Sequence, residues 1–169
     1  AKRLSERPDC RVLLIEAGQS DWNPFLHMPA GVGELLKRRW TNWYFDTDRE
    51  TRLGDRRLYW PRGKVLGGSS SMNGMVYIRG HHNDYEHWGA LPGCEGWDFK
   101  SVLPWFKKSE NFIEGASEWH GKGGELGVSP PTIKLELSEV FKQAGKQAGF
   151  PVNTDFNGEQ QAGVGPFHA

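Results

Sequence analysis

Residues 10–18 read CRVLLIEAG. Val12, Leu13, Leu14 and Ile15 form an unbroken apolar run that closes on Glu16 and Gly18. Continuous rather than alternating hydrophobicity predicts a strand buried on both faces, as in a parallel sheet covered by helices. Just upstream, residues 1–7 have helix-forming composition with Leu4 as the one apolar anchor, and Pro8-Asp9 ends the stretch. A helix followed by a buried strand is half of a βαβ unit, so a strand ahead of residue 1 is expected. Glu16 falls at the carboxyl end of the predicted strand, where a carboxylate can accept two hydrogen bonds from a ribose diol. In dinucleotide-binding folds such an acid lies about 20 residues after the first glycines of a GxGxxG loop. That count places the loop ahead of this sequence. An ordinary strand-end carboxylate facing solvent fits VLLIEAG equally well.

The second informative stretch is PRGKVLGGSSSMNGMVYIRG, residues 61–80. Gly67-Gly68 lets main chain approach a bulky anion without a Cβ in the way. Successive backbone N–H groups there, with the Ser69 and Ser70 hydroxyls, could cradle a pyrophosphate. A Walker loop is excluded, because Gly63-Lys64 precedes the glycines instead of following them. The simpler reading makes Ser69–Ser71 the cap of a helix over residues 72–78. Capping and anion binding use the same orphan N–H groups, so the two coexist.

Bulk composition narrows the classes. The 169 residues suit one domain with a real core. The 21 Lys+Arg balance 21 Asp+Glu, which argues against a nucleic-acid binder that works by neutralising phosphates. No apolar run approaches the ~20 residues of a membrane span. The opening AKRLSERPD lacks the hydrophobic region of a signal peptide. Cys10 and Cys94 match no metal or redox spacing, and a reducing compartment is expected. Eight tryptophans and 22 glycines suggest loops packed on a ligand.

Residues 19–60 are irregular, broken by Pro24, Pro29, Gly31 and Gly33, with a short helix expected over 33–39. Residues 43–47 and 57–60 have strand character around a Leu53-Gly54-Asp55 turn, predicting a hairpin. The basic residues at 37–39 and 56–57 read as a solvated face. From 83 to 111 the pattern is helical, with Asp98 a candidate cap. A strand follows at 125–129 and stops at two prolines. Leu137, Val140, Phe141, Ala144 and Ala148 recur at helical spacing and predict a core-packing helix ended by Gly149-Phe150-Pro151.

GKVLGGSSSMNGMVYIRGHHNDYE, residues 63–86, resembles the first signature of the glucose-methanol-choline (GMC) family of FAD oxidoreductases. The VLLIEAG stretch, the WPRGK lead-in, HGxxG at 120–124 and DFNGxxQxGVG at 155–165 also look like this family, in its usual order. Bacterial alcohol dehydrogenases and choline dehydrogenases of the family are the nearest in look. The resemblance implies an α/β fold: part of a Rossmann-like FAD-binding domain, its parallel sheet lacking the first strand, over residues 1–129. Residues 130–169 would begin an α+β substrate domain.

Carried over position by position, Glu16 would hold the adenosine ribose, and Gly67, Gly68 and Ser69 would line the pyrophosphate. Asn73, Gly74, Met75 and Val76 would pass beside the isoalloxazine ring with main-chain groups on its polar edge. Met72 stands where some family oxidases carry a histidine bonded to flavin, so the expectation is non-covalent FAD. The family's catalytic histidine lies near the carboxyl terminus of its members. None of His27, His81, His82, His87, His120 and His168 matches it, so no catalytic residue is assigned, and each is expected in surface or loop packing, His120 as turn architecture. No metal ligand is expected. The aromatic set of Trp43, Tyr44, Trp60, Trp88, Trp97 and Trp105 reads as core and lid packing.

The activity implied is hydride transfer from a CH–OH group to flavin N5, giving an aldehyde. A GMC-fold lyase of the hydroxynitrile-lyase type and a non-catalytic FAD-binding fragment stay as alternatives. The implied partner is a small-molecule alcohol. The electron acceptor, quinone or oxygen, is left open. A cytoplasmic location is expected, with peripheral attachment to the inner membrane also left open.

Overall fold

The computed structural model describes residues 1–133 and 135–169. They form two compact units, Ala1–Met75 and Val76–Ala169.

In the first unit, helix α1 is a single turn, Lys2–Ser5. Asn23 then caps a 3₁₀ turn over Pro24–His27 by accepting from the Phe25 N–H at 2.9 Å, and a second such turn, Pro29–Gly31, leads into α2, Val32–Leu35. The helix expected over 33–39 is thus shorter and starts one residue earlier. Strands β1, Phe45–Asp46, and β2, Tyr59–Trp60, pair antiparallel with Phe45 opposite Trp60. The pairing continues outward, Trp43 N–H to the Arg62 carbonyl and Lys64 N–H to that of Thr41, so the predicted hairpin forms. Gly54, at φ 70, makes its turn. The core of this unit is small: Leu35, Val65 and Met72, with buried Thr41 and Asn42. Both polar side chains are satisfied, Thr41 by the Leu35 carbonyl and Asn42 by the Leu36 carbonyl and the Tyr44 and Arg62 N–H groups, which is what burial of polar groups requires.

Two local expectations change here. Residues 12–15 enter no ladder, and Leu13 and Ile15 are 82% and 83% exposed. A strand gains its hydrogen bonds and its cover from neighbours, and among the described residues none flanks this run. The predicted helix over 72–78 is absent. Instead the glycine–serine stretch closes as a 3₁₀ turn, Gly68–Ser71, and the chain beyond Met72 is irregular, with Met75 at φ 59.

The second unit holds α3, His82–Gly89, with a capping box between His81 and Asp84, and α4, Phe99–Ser109, capped by Asp98 on the Ser101 N–H at 3.1 Å. Strand β3, Glu110–Phe112, runs parallel to β4, Leu126–Val128, with Glu110 opposite Leu126. Helix α5 spans Glu136–Gln147 and ends as expected at Gly149, φ 89. Phe99, Val102, Phe112, Val128 and Phe156 form the apolar core. The core role expected for α5 is corrected: Leu137, Val140 and Phe141 are exposed, because no described element covers that face. Trp43, Trp60 and Trp105 are likewise exposed, their faces taken by Lys64, Arg62 and Lys108.

Candidate cofactor-binding site

The first unit joins the two stretches from which the sequence reading started. Gln19 and Val65 form a parallel bridge, and Leu66 N–H donates to the Gln19 carbonyl at 2.9 Å. Beside it, Gly18 lies so close to the Lys64–Val65 main chain that a Cβ would overlap it. Glu16 sits two residues before Gly18, and Gly67 two residues after Val65. Each is at most about 7 Å of chain from that contact. The Glu16 carboxylate is exposed and turns back to accept the Gly18 N–H at 2.8 Å.

The bend itself has the backbone expected of it. Gly67 and Gly68 have φ of 91 and 61, the left-handed region that side chains disfavour. At Gly68 an added Cβ would meet no protein atom within 4 Å, so the bare backbone there faces open space. The three serine hydroxyls divide their work. Ser70 Oγ donates to the Gly67 carbonyl at 2.6 Å and Ser71 Oγ to the Leu66 carbonyl at 2.8 Å. Ser69 Oγ instead accepts from Gly63 N–H at 3.0 Å, which leaves its own proton to donate. Of the two hydroxyls expected to serve an anion, Ser69 keeps that capacity and Ser70 has spent its proton on main chain.

Downstream, Asn73 Oδ1 accepts the Met75 N–H at 2.8 Å and holds Met75 at φ 59. A non-glycine residue in that region stores about 1–3 kcal/mol of strain, a feature that clusters at ligand sites. Asn73, Gly74 and Met75 are exposed, as is Val76 at the start of the second unit. Met72 is buried at 5% exposure.

The second unit contains a buried polar network that the sequence reading missed. Arg79 is 2% exposed and Glu110 fully buried in their side chains, joined at 3.2 Å. Arg79 also donates to the carbonyls of Trp119 and Asn157 at 2.8 and 3.3 Å. Glu110 accepts the Gly121 N–H at 2.6 Å and faces His120 Nδ1 at 3.1 Å, while His120 Nε2 meets Asp155 at 2.9 Å. His168 Nδ1 lies 3.8 Å from Asp155 Oδ1. Of the expected surface or loop packing for His120 and His168, the surface alternative fails: both sit in loop segments but are buried, at 3% and 4%. HGxxG and DFNG were visible as motifs, but His120 and Asp155 lie 35 positions apart, and nothing in the sequence marked that they meet. Tyr77, between the strained Met75 and Arg79, is half-buried, and burial raises its phenol while Arg79 partly offsets the rise.

These residues define a class. Residues 16–169 match the GMC oxidoreductase family, and the chain belongs to it. Its fold is that of the Rossmann-like FAD-binding N-terminal domain of the family. It is 46% identical to an oxygen-dependent choline dehydrogenase of Vibrio vulnificus (strain YJ016), covering 99% of this chain and 30% of that protein. With an alcohol dehydrogenase (acceptor) of Pseudomonas putida the identity is 49%, over 98% of this chain and 30% of that one. A solved structure, pyridoxine 4-oxidase from Mesorbium loti, superposes with a TM-score of 0.91 at 36% identity, covering 98% of this chain and 33% of its own. The chain thus spans about 30% of the length of the curated relatives it matches.

Proposed function

We propose that this chain supplies the flavin-gripping part of a GMC alcohol dehydrogenase that converts a CH–OH group of a small alcohol, aliphatic or choline-like, to an aldehyde. The observation that carries the reading is the main-chain bond between Gln19 and Leu66, which brings the Glu16 end of one segment beside the glycine bend of another. The open, Cβ-free side of Gly68 fits a pyrophosphate approached by backbone, and the chain's residues therefore suit FAD. When bound, FAD supplies N5 as the hydride acceptor.

The chain's own residues bind and orient. Glu16 accepts from the ribose hydroxyls. Gly67 and Gly68 present main chain to the pyrophosphate, and Ser69 donates its hydroxyl proton there. Asn73 fixes the turn that sets the Gly74, Met75 and Val76 main chain along the ring edge. Met72 offers no nucleophile to the ring, so the cofactor is held without a covalent bond and acid precipitation releases it to the supernatant. No residue here is assigned the base. In the whole protein residues 1–129 belong to the cofactor domain and 130–169 begin the substrate domain. Among the described residues no helix is long and apolar enough to cross a membrane.

The test is a flavin-fluorescence titration of the protein with FAD, compared across Glu16→Gln and Gly68→Ala. Quenching that weakens about tenfold or more in both variants, a loss of ~1.4 kcal/mol or more, supports the site. Equal affinity in all three proteins overturns it. Anaerobic addition of choline or a primary alcohol to the flavin-loaded protein then separates the redox reading, which bleaches the flavin, from a lyase, which leaves it yellow.

A further inference from the structure

We infer that His120, Asp155 and His168 form a binding site for one zinc-type divalent cation. Each residue offers one ligand atom, and the three atoms lie within 4.8 Å of one another. His120 Nε2 is 2.9 Å from Asp155 Oδ2, and His168 Nδ1 is 3.8 Å from Asp155 Oδ1. Tetrahedral zinc with bonds of about 2.1 Å spaces its ligand atoms by ~3.4 Å, so small side-chain adjustments bring this trio onto one centre.

Independent features point the same way. His168 Nδ1 has no hydrogen-bond partner among the described residues although the side chain is 3% exposed, and a buried nitrogen left unpaired is costly. Its direction is toward Asp155. His120 already has an outer carboxylate: its Nδ1 faces Glu110 Oε1 at 3.1 Å, which fixes the ring and presents Nε2, the arrangement that supports metal-bound histidines. Glu110 is itself held by Arg79 and the Gly121 N–H, so the guanidinium is engaged with the outer carboxylate.

Access and ligand chemistry agree. Asp155 and His168 line a groove of about 850 Å³, with Phe112, Phe141 and Phe167 among its walls, which leaves room for water at a remaining position. Asp155 is held by the Asn157 N–H on Oδ1 at 2.9 Å, and His168 by its carbonyl accepting the Tyr77 N–H at 2.8 Å. Two imidazoles and one carboxylate favour zinc over calcium or magnesium, which prefer all-oxygen sets. The cation ties the loops carrying residues 120, 155 and 168 together. The inference stands apart from the flavin reading, since none of its three ligand residues is among those assigned to the cofactor.

The test uses protein dialysed against EDTA, then freed of chelator and titrated with zinc chloride by calorimetry, with cobalt(II) chloride as the spectroscopic probe. The expected result is one zinc per chain, a visible four-coordinate cobalt band and a raised melting temperature. Binding falls about 10–100-fold in Glu110→Gln and loses its stoichiometric phase in both His168→Asn and Asp155→Asn. A Cys10→Ser/Cys94→Ser protein binds as the parent does. No uptake by the parent, no cobalt band, or uptake unchanged in Asp155→Asn overturns the site. Should His168→Asn fail to fold, the parent's cobalt spectrum and Asp155→Asn decide.

Discussion

The N–H of Leu66 donates to the carbonyl of Gln19 at 2.9 Å. This bond and the Gln19–Val65 bridge join two segments more than 40 residues apart in sequence. They bring the carboxyl end of the apolar run beside the approach to the glycine bend. Because Gly18 packs its bare Cα on the Lys64–Val65 main chain, the junction depends on the absence of a side chain at that position.

Gly18→Val should therefore force the junction apart. The obstructing atoms are backbone and cannot swing aside, so overpacking of about 1–3 kcal/mol is expected. Chemical unfolding of the variant beside the parent measures it. An unchanged midpoint contradicts the close approach.

At Gly68 the expected effects separate. A Cβ there meets no protein atom, so Gly68→Ala costs only the left-handed backbone, about 1–2 kcal/mol, and Gly68→Asn costs less. Any loss of FAD affinity beyond what the lost stability accounts for comes from the cofactor's own approach. Paired melting curves and fluorescence titrations of both variants distinguish the two terms.

Glu110→Ala should be the most damaging single change in the second unit. It leaves Arg79, with a side chain 2% exposed, without its counter-charge, and it also strips His120 Nδ1 and the Gly121 N–H of their acceptor. Loss of one partner of a buried pair costs about 3–5 kcal/mol. A urea midpoint within error of the parent's would remove the network from the account of stability.

His82 gives a pH dependence. Burial against the rings of Phe99 and Trp119 lowers its proton affinity, with His81 and Arg79 adding to the effect and Glu86 opposing it. The folded state thus takes up this proton at lower pH than the unfolded chain, whose imidazole titrates near 6.5. Above that value His82 contributes no slope. As pH falls below it, the unfolded state binds the proton first and stability drops. His82→Phe, which keeps the stacking, should lose that part of the decline between parent and variant when melting temperatures are followed down from neutral pH.

Local chemistry explains which elements were legible in the sequence. The Gly54 turn of the hairpin, the Asp98 cap and the Gly149 stop all arise from contacts within a few residues, where spacing and turn chemistry suffice. The helix expected over 72–78 failed for an equally local reason: two consecutive left-handed glycines close a 3₁₀ turn ahead of it, and Met75 is itself left-handed. The buried run at 12–15 failed because hydrophobicity signals a need for cover, while cover comes from other segments. Residues 63–86 carried the family.

By itself, then, the sequence determined the class of protein and the glycine bend, because backbone freedom and residue type are written locally. Only the tertiary structure decided that Gln19 meets Leu66 and that Arg79, Glu110, His120, Asp155 and His168 share one buried cluster. Such a cluster exists only once desolvation makes each polar group depend on partners that lie 10 to 78 residues away, a dependence that neither composition nor periodicity encodes.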